Sequence, residues 1–133
     1  MTGQPWRILC IEDEPDLRED LVDELRDSGC LVWSAADGLE GLAMALSEPF
    51  DLVLCDIRLP KLDGLGVLHQ VRRHAGPQGQ VPVVFLSAYD DAALRLKTEA
   101  GGADGFLLKP VSYARLEEVI STICLSRSSR NDD

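Results

Sequence analysis

Residues 52–56 read Leu-Val-Leu-Cys-Asp: four apolar side chains in succession, then a carboxylate. A run that short and continuous, without polar alternation, is how a β-strand covered on both faces reads. Four more such runs lie along the chain: Ile8–Ile11, Leu31–Ser34, Val81–Leu86 and Phe106–Leu108. Between them the periodicity turns helical. Leu17, Leu21 and Leu25 recur at four-residue spacing after Asp13-Glu14-Pro15, where acids and an early proline suit a helix start, and Gly29 stops the pattern. Leu39, Leu42, Ala43 and Leu46 mark a second helix, and Leu65, Leu68 and Val71 a third. Ala93, Leu94 and Ala100, ahead of Gly101-Gly102, mark a weaker fourth. Leu116, Val119, Ile120 and Ile123 mark a fifth, with Ser112 as its N-cap. Strand and helix alternating five times predict an α/β fold, a parallel sheet with helices on both faces and right-handed crossovers.

A chain of 133 residues holds one domain, and 45% hydrophobic with 27% charged residues is the composition of a folded protein. The net charge of −10 repels phosphate backbones and argues against direct nucleic-acid binding. Nine acids and two arginines fall between Glu12 and Asp27, and most of them read as a solvated helix face. Glu12 ends the only apolar run near the N-terminus, so no secretory signal is legible. The longest stretch without formal charge, His74 to Tyr89, is broken by Gly, Pro and Gln and cannot span a membrane. Cys10, Cys30, Cys55 and Cys124 have no CxxC spacing and read as small hydrophobes in a reducing cytoplasm. His69 and His74 read as surface residues, and residues 127–133 as a short, frayed polar tail after a domain of residues 1–126.

In an open α/β sheet, ligands bind beyond the carboxyl ends of the strands. The first predicted strand ends in Glu12-Asp13, the third in Asp56, the fourth in Ser87 and the fifth in Lys109-Pro110. The second ends in Ser34-Ala35-Ala36 and offers no comparable group. Taken singly, each is ordinary: Asp13 could cap a helix, Asp56 and Ser87 could form turns, Lys109 could be a surface charge. Together, three carboxylates, a hydroxyl and an ammonium at four of five strand ends are harder to dismiss. Clustered carboxylates either protonate or recruit a cation, and a hard divalent ion with oxygen ligands fits.

Glu12-Asp13, Asp56, Ser87-Ala88, Phe106 and Lys109-Pro110, in that order, resemble the receiver domain of two-component response regulators. LPKLDG (residues 59–64) and GADGFLLKP (residues 102–110) add to the likeness, which covers about residues 6–126. The resemblance implies a flavodoxin-like, doubly wound (βα)5 fold with strand order 2-1-3-4-5. It implies that Asp56 is the phosphoacceptor and that Glu12 and Asp13 position Mg²⁺ (Mn²⁺ is possible), Asp13 directly and Glu12 through water. Asp56 itself and the backbone carbonyl of Arg58 complete that ligand set. Lys109 falls where the family pairs a lysine with the phosphoryl group. Ser87 matches the switch hydroxyl and Phe106 the switch aromatic, and Lys109-Pro110 matches a cis peptide bond. Ala88 leaves the pocket open, while Arg58 and Tyr89 stand where the family tunes the lifetime of the acyl phosphate. The implied partners are a sensor histidine kinase or histidine phosphotransfer protein, and a downstream protein target or output domain reached through the helix 4–strand 5–helix 5 surface. Such a domain catalyses only its own phosphorylation and dephosphorylation. Glu12 stands where Asp is common, Phe106 where Tyr is frequent, and Gly66 inside the third helix costs about 1 kcal/mol against Ala.

Three other readings share the pattern. A flavodoxin-like small-ligand binder needs a hydroxyl- or glycine-rich phosphate cradle after the first strand, where this chain has Glu12-Asp13-Glu14. A Mg²⁺-dependent phosphatase with an aspartyl nucleophile wants a second acid two residues on, where Arg58 stands. A pseudo-receiver typically lacks the acceptor or the lysine, and both are present.

Overall fold

The computed structural model describes residues 5–131, the side chains of 128–131 excepted. Side-chain alternation along the strands divides the interior into two cores. β1 (Arg7–Ile11) sends Ile8 and Cys10 to one side and Leu9 and Ile11 to the other. β3 (Leu52–Asp56) does the same with Leu52 and Leu54 against Val53 and Cys55, and β4 (Val83–Ser87) with Val84 and Leu86 against Val83 and Phe85. Both faces of these strands are covered, which is why they read as unbroken apolar runs. β2 (Leu31–Ala35), on an edge, fully buries only Val32 and Ala35.

All pairings are parallel, and the strand order is β2-β1-β3-β4-β5, with β5 spanning Gly105–Leu108. On one face, α1 (Pro15–Asp27) contributes Leu21, Val22 and Leu25, and α5 (Tyr113–Asn131) contributes Leu116, Ile120 and Cys124. On the other, α2 (Gly38–Ser47) presents Ala45, α3 (Gly64–Arg73) presents Val67, Leu68 and Val71, and Leu94 of α4 (Ala92–Ala100) packs alongside. Each fully buried Leu, Ile or Val side chain is worth roughly 1.5–3 kcal/mol of transfer free energy, so these stripes carry the fold.

Local chemistry sets the helix ends. Asp37 caps α2 by accepting from Glu40 N–H, Asp63 caps α3 through Gly66 N–H, and Asp91 caps α4 through Ala93 and Leu94 N–H. Such caps are typically worth about 1 kcal/mol each. α1 differs, because its N-cap is Glu14, without a side-chain cap, ahead of Pro15. Asp13 is therefore free of capping duty. Gly29 (φ +99°) and Gly102 (φ +98°) turn the chain out of α1 and α4 in the left-handed region.

Two boundaries depart from expectation. β4 begins at Val83, not Val81, because Pro82 has no N–H to offer a ladder and the preceding Pro77–Gln80 forms a 3-10 turn. The backbone of α5 runs on through Asn131, so residues 127–131 are helical where a frayed tail was expected; neither Gly nor Pro interrupts the helix there. Residues 132–133 lie outside the described residues, as do residues 1–4. Cys10, Cys55 and Cys124 are buried and Cys30 half-buried, all as free thiols. Burial pushes the Cys10 and Cys124 thiols up to about 12. Asp16, Glu19, Asp20, Asp23 and Asp27 of α1 are exposed, the solvated face that the charge pattern suggested.

Candidate functional site

The parallel register fixes what meets at the carboxyl edge. Ile11 pairs with Cys55, so Glu12 emerges beside Asp56. Glu12, Asp56 and Lys109 continue the alternation of Cys10, Leu54 and Leu107, which all belong to the α1/α5 core. They therefore converge, whereas Ser87 continues the phase of Phe85 on the opposite face.

Convergence is close. Lys109 Nζ lies 2.9 Å from Asp56 Oδ2, a hydrogen-bonded ion pair, and 3.1 Å from Glu12 Oε1. Glu12 is fully buried and Asp56 is 6% exposed, so both carboxylates sit where an unpaired charge is costly. Glu12 Oε2 accepts from Glu14 N–H at 3.1 Å, but Oε1 has no aligned hydrogen-bond donor; its contact with Lys109 is electrostatic only. Asp13 is exposed, and one carboxylate oxygen from each of Glu12, Asp13 and Asp56 can be chosen so that all three lie within 4.8 Å of one another. Burial raises the Glu12 pKa to about 7, with repulsion from Asp56 adding and the Glu14 amide and Lys109 opposing. Burial by itself would lower the Lys109 pKa, but the hydrogen bond to Asp56 and the pairing with Glu12 outweigh it and hold the pKa above its usual value. Lys109 is thus an ammonium ion under all ordinary conditions.

An all-oxygen set of three carboxylates that shares a single ammonium suits Mg²⁺ by charge and by ligand type. Arg58 N–H makes only a long contact, 3.4 Å, with Asp56 Oδ1.

The remaining expected residues make contacts of their own. Ser87 is buried, and its hydroxyl is engaged within its own turn, accepting from Tyr89 N–H (3.0 Å) and donating to Tyr89 O (3.1 Å). Ala88 is exposed. The Arg58 guanidinium stacks on the Tyr89 ring, 4.5 Å from its centroid, so the two residues form one cation–π unit. Phe106 is half-buried against the α2–α4 core with the Arg95 guanidinium 4.7 Å over its ring, and the Lys109–Pro110 bond is cis.

Three supporting features escaped the sequence reading. Gly64 is needed for close approach, since a Cβ there would lie 2.5 Å from Asp56 O and 2.9 Å from Ile57 Cα. Leu62 N–H donates to Pro60 O at 2.8 Å across Lys61 (φ +71°), a rare positive-φ γ-turn that folds the loop after Asp56 back on itself. Its Pro60 carbonyl also accepts from Gly38 N–H, docking the loop on the start of α2. Arg18 of α1 donates from Nη1 to Glu12 O at 2.8 Å. These long-range contacts had no sequence signature.

A doubly wound sheet of order 2-1-3-4-5 thus carries three acids and a lysine at its carboxyl edge. The response regulator receiver domain model matches residues 8–121, and the chain belongs to that family. It is 44% identical over 111 residues to the transcriptional activator protein PfeR of Pseudomonas aeruginosa, covering 84% of this chain and 35% of PfeR. The curated relatives it matches are thus about two to three times its length. Among solved structures it resembles a CheY-like receiver domain protein from Methanospirillum hungatei (TM-score 0.88, 26% identity, 96% of this chain and 99% of that one). It also resembles the receiver domain of the sensor histidine kinase PA1611 from P. aeruginosa (TM-score 0.82, 30% identity, 91% and 98%), whose crystal structure has a magnesium ion coordinated in the active-site cleft.

Proposed function

We propose that Asp56 accepts a phosphoryl group from a phosphohistidine on a sensor kinase or phosphotransfer protein. What carries this reading is the Lys109 ammonium held between the buried carboxylates of Asp56 and Glu12, at the mouth of the sheet. An Asp56 oxygen forms the new bond to phosphorus while the donor's N–P bond breaks, its electron pair leaving on the imidazole nitrogen. Catalysis of such a transfer is mostly positioning and charge neutralisation. Lys109 stays protonated and close, ready to pair with a phosphoryl oxygen. Asp13, Asp56, the Arg58 carbonyl and, by way of water, Glu12 would hold Mg²⁺, and the bound ion would supply neutralising charge for the transfer.

Phosphorylation adds about −1.5 to −2 charge and three strong acceptors. Ser87 then exchanges its turn contact with Tyr89 for a phosphoryl oxygen, and Phe106 moves into the space released. This biases the α4–β5–α5 surface between two states and alters binding of a downstream protein target or output domain. Arg58, Ala88 and Tyr89 govern access to the acyl phosphate, and the domain catalyses nothing beyond its own phosphorylation and hydrolysis. The free thiols support a cytoplasmic location, and among the described residues no helix is long and apolar enough to cross a membrane. The net charge of −10 opposes direct contact with nucleic acid.

Incubation with acetyl phosphate and Mg²⁺, read by intact mass, tests the assignment. One phosphoryl adduct is expected on the wild type and none on Asp56→Ala; an unmodified wild type, or a modified variant, would overturn it. Continuous phosphate release from small substrates would instead indicate a phosphatase.

A further inference from the structure

Arg18 lies one turn into α1, in a segment dense with acids, yet among the described residues it has no carboxylate within ion-pair distance. Its Nη1 donates instead to two main-chain carbonyls, Glu12 O at 2.8 Å and Asp13 O at 3.4 Å. The same short link is held by Glu12 N–H donating to Ala35 O (3.1 Å) and Glu14 N–H donating to Glu12 Oε2 (3.1 Å). α1 has no side-chain N-cap, so no Asp carboxylate or Ser hydroxyl of the usual kind fixes this entry. The guanidinium occupies the place of that missing constraint, and it does so on the two residues whose carboxylates join Asp56 in the oxygen cluster.

We infer that Arg18 is a positioning residue for the divalent-cation site: by clasping the carbonyls of Glu12 and Asp13 it fixes the direction in which both carboxylates leave the chain. The inference rests on the cation-dependent reading of the site given above. It carries an unusual sign. As a charge alone, Arg18 repels a dication, so removing it would tighten binding. As a clasp, it holds ligands in place, and its loss weakens binding, as loss of partners behind metal ligands commonly does by 10- to 100-fold.

The test is calorimetric titration of Mg²⁺ into the folded full chain at 20 °C, with metal-free melting recorded in parallel. Arg18→Gln and Arg18→Lys are both expected to bind Mg²⁺ about tenfold more weakly than wild type. Lysine keeps the charge but lacks the rigid planar guanidinium that sets Nη1 between the two carbonyls. Tighter or equal binding by Arg18→Gln, or wild-type affinity in Arg18→Lys, would overturn the inference. So would variants that melt earlier without a change in Mg²⁺ affinity, since that is the signature of a purely structural arginine. A wild type that takes up no Mg²⁺ would instead overturn the reading of the site itself.

Discussion

At the N-terminal edge of the sheet, two arginines tie loops together. Arg72 Nη1 donates to Gly79 O and Val81 O, Nε and Nη2 both reach Gly102 O, and Nη2 also meets Asp104. Asp104 in turn accepts from Val83 N–H. Arg7 donates to Pro49 O, stacks on Trp33 and Phe50, and offers its amide to Asp51. At the carboxyl edge the same kinds of side chain are out of balance: three carboxylates face one ammonium, and a buried oxygen of Glu12 has no donor. Where donors and acceptors match, charge holds loops together. Where they do not, the fold bears a local penalty that a cation would relieve.

The contrast is broken most easily at its structural end. Arg72→Ala removes charge-assisted bonds to three separate backbone carbonyls and should lower stability by about 3 kcal/mol in urea unfolding, with acetyl-phosphate labelling of the folded protein unchanged. A variant as stable as wild type would mean that the N-terminal edge is not the tie it resembles. A smaller effect sharpens the functional end. The Glu12 pKa is raised from its ordinary value to about 7, so the metal-free protein has its full share of stability from this group below about pH 4.5 and loses it as pH rises through about 7. In EDTA, wild type should therefore weaken relative to Glu12→Gln by about 1 kcal/mol between pH 5 and pH 8; a constant difference would show Glu12 to be unstrained. The smallest effect is expected at Asp13. With its carboxylate exposed, Asp13→Asn should stabilise the metal-free protein by only about 0.5 kcal/mol, by easing repulsion, and should lack the rise in melting temperature expected of wild type in Mg²⁺.

The sheet was legible because burial on both faces leaves a mark that local sequence carries: Leu52–Cys55 and its counterparts have nowhere polar to point. The ends of those runs then exposed Glu12, Asp13, Asp56 and Lys109, and the parallel register did the rest. Ser87 was found in sequence but not its engagement with Tyr89, since a hydroxyl's partner depends on the turn it sits in. The role of Gly64 depends on a carbonyl eight residues earlier in the chain, and attention fell instead on Gly66, whose absent side chain would meet only Leu62 and Asp63. Arg18 was counted among helix charges; its carbonyl contacts arise from a rotamer, which no periodicity reports. The length of α5 was missed because polar residues without Gly or Pro extend a helix as readily as they fray one.

β3 and β4 are buried at every position, whereas β5 is half-buried along most of its length and exposed at Leu108. On the function proposed, the acceptor Asp56 and the Ser87 hydroxyl would thus be mounted on an anvil, and Lys109 on a spring. Any pull that a new anion exerted between them would be absorbed by the less buried member. Displacement would thereby be channelled toward one flank of the molecule before any partner had touched it.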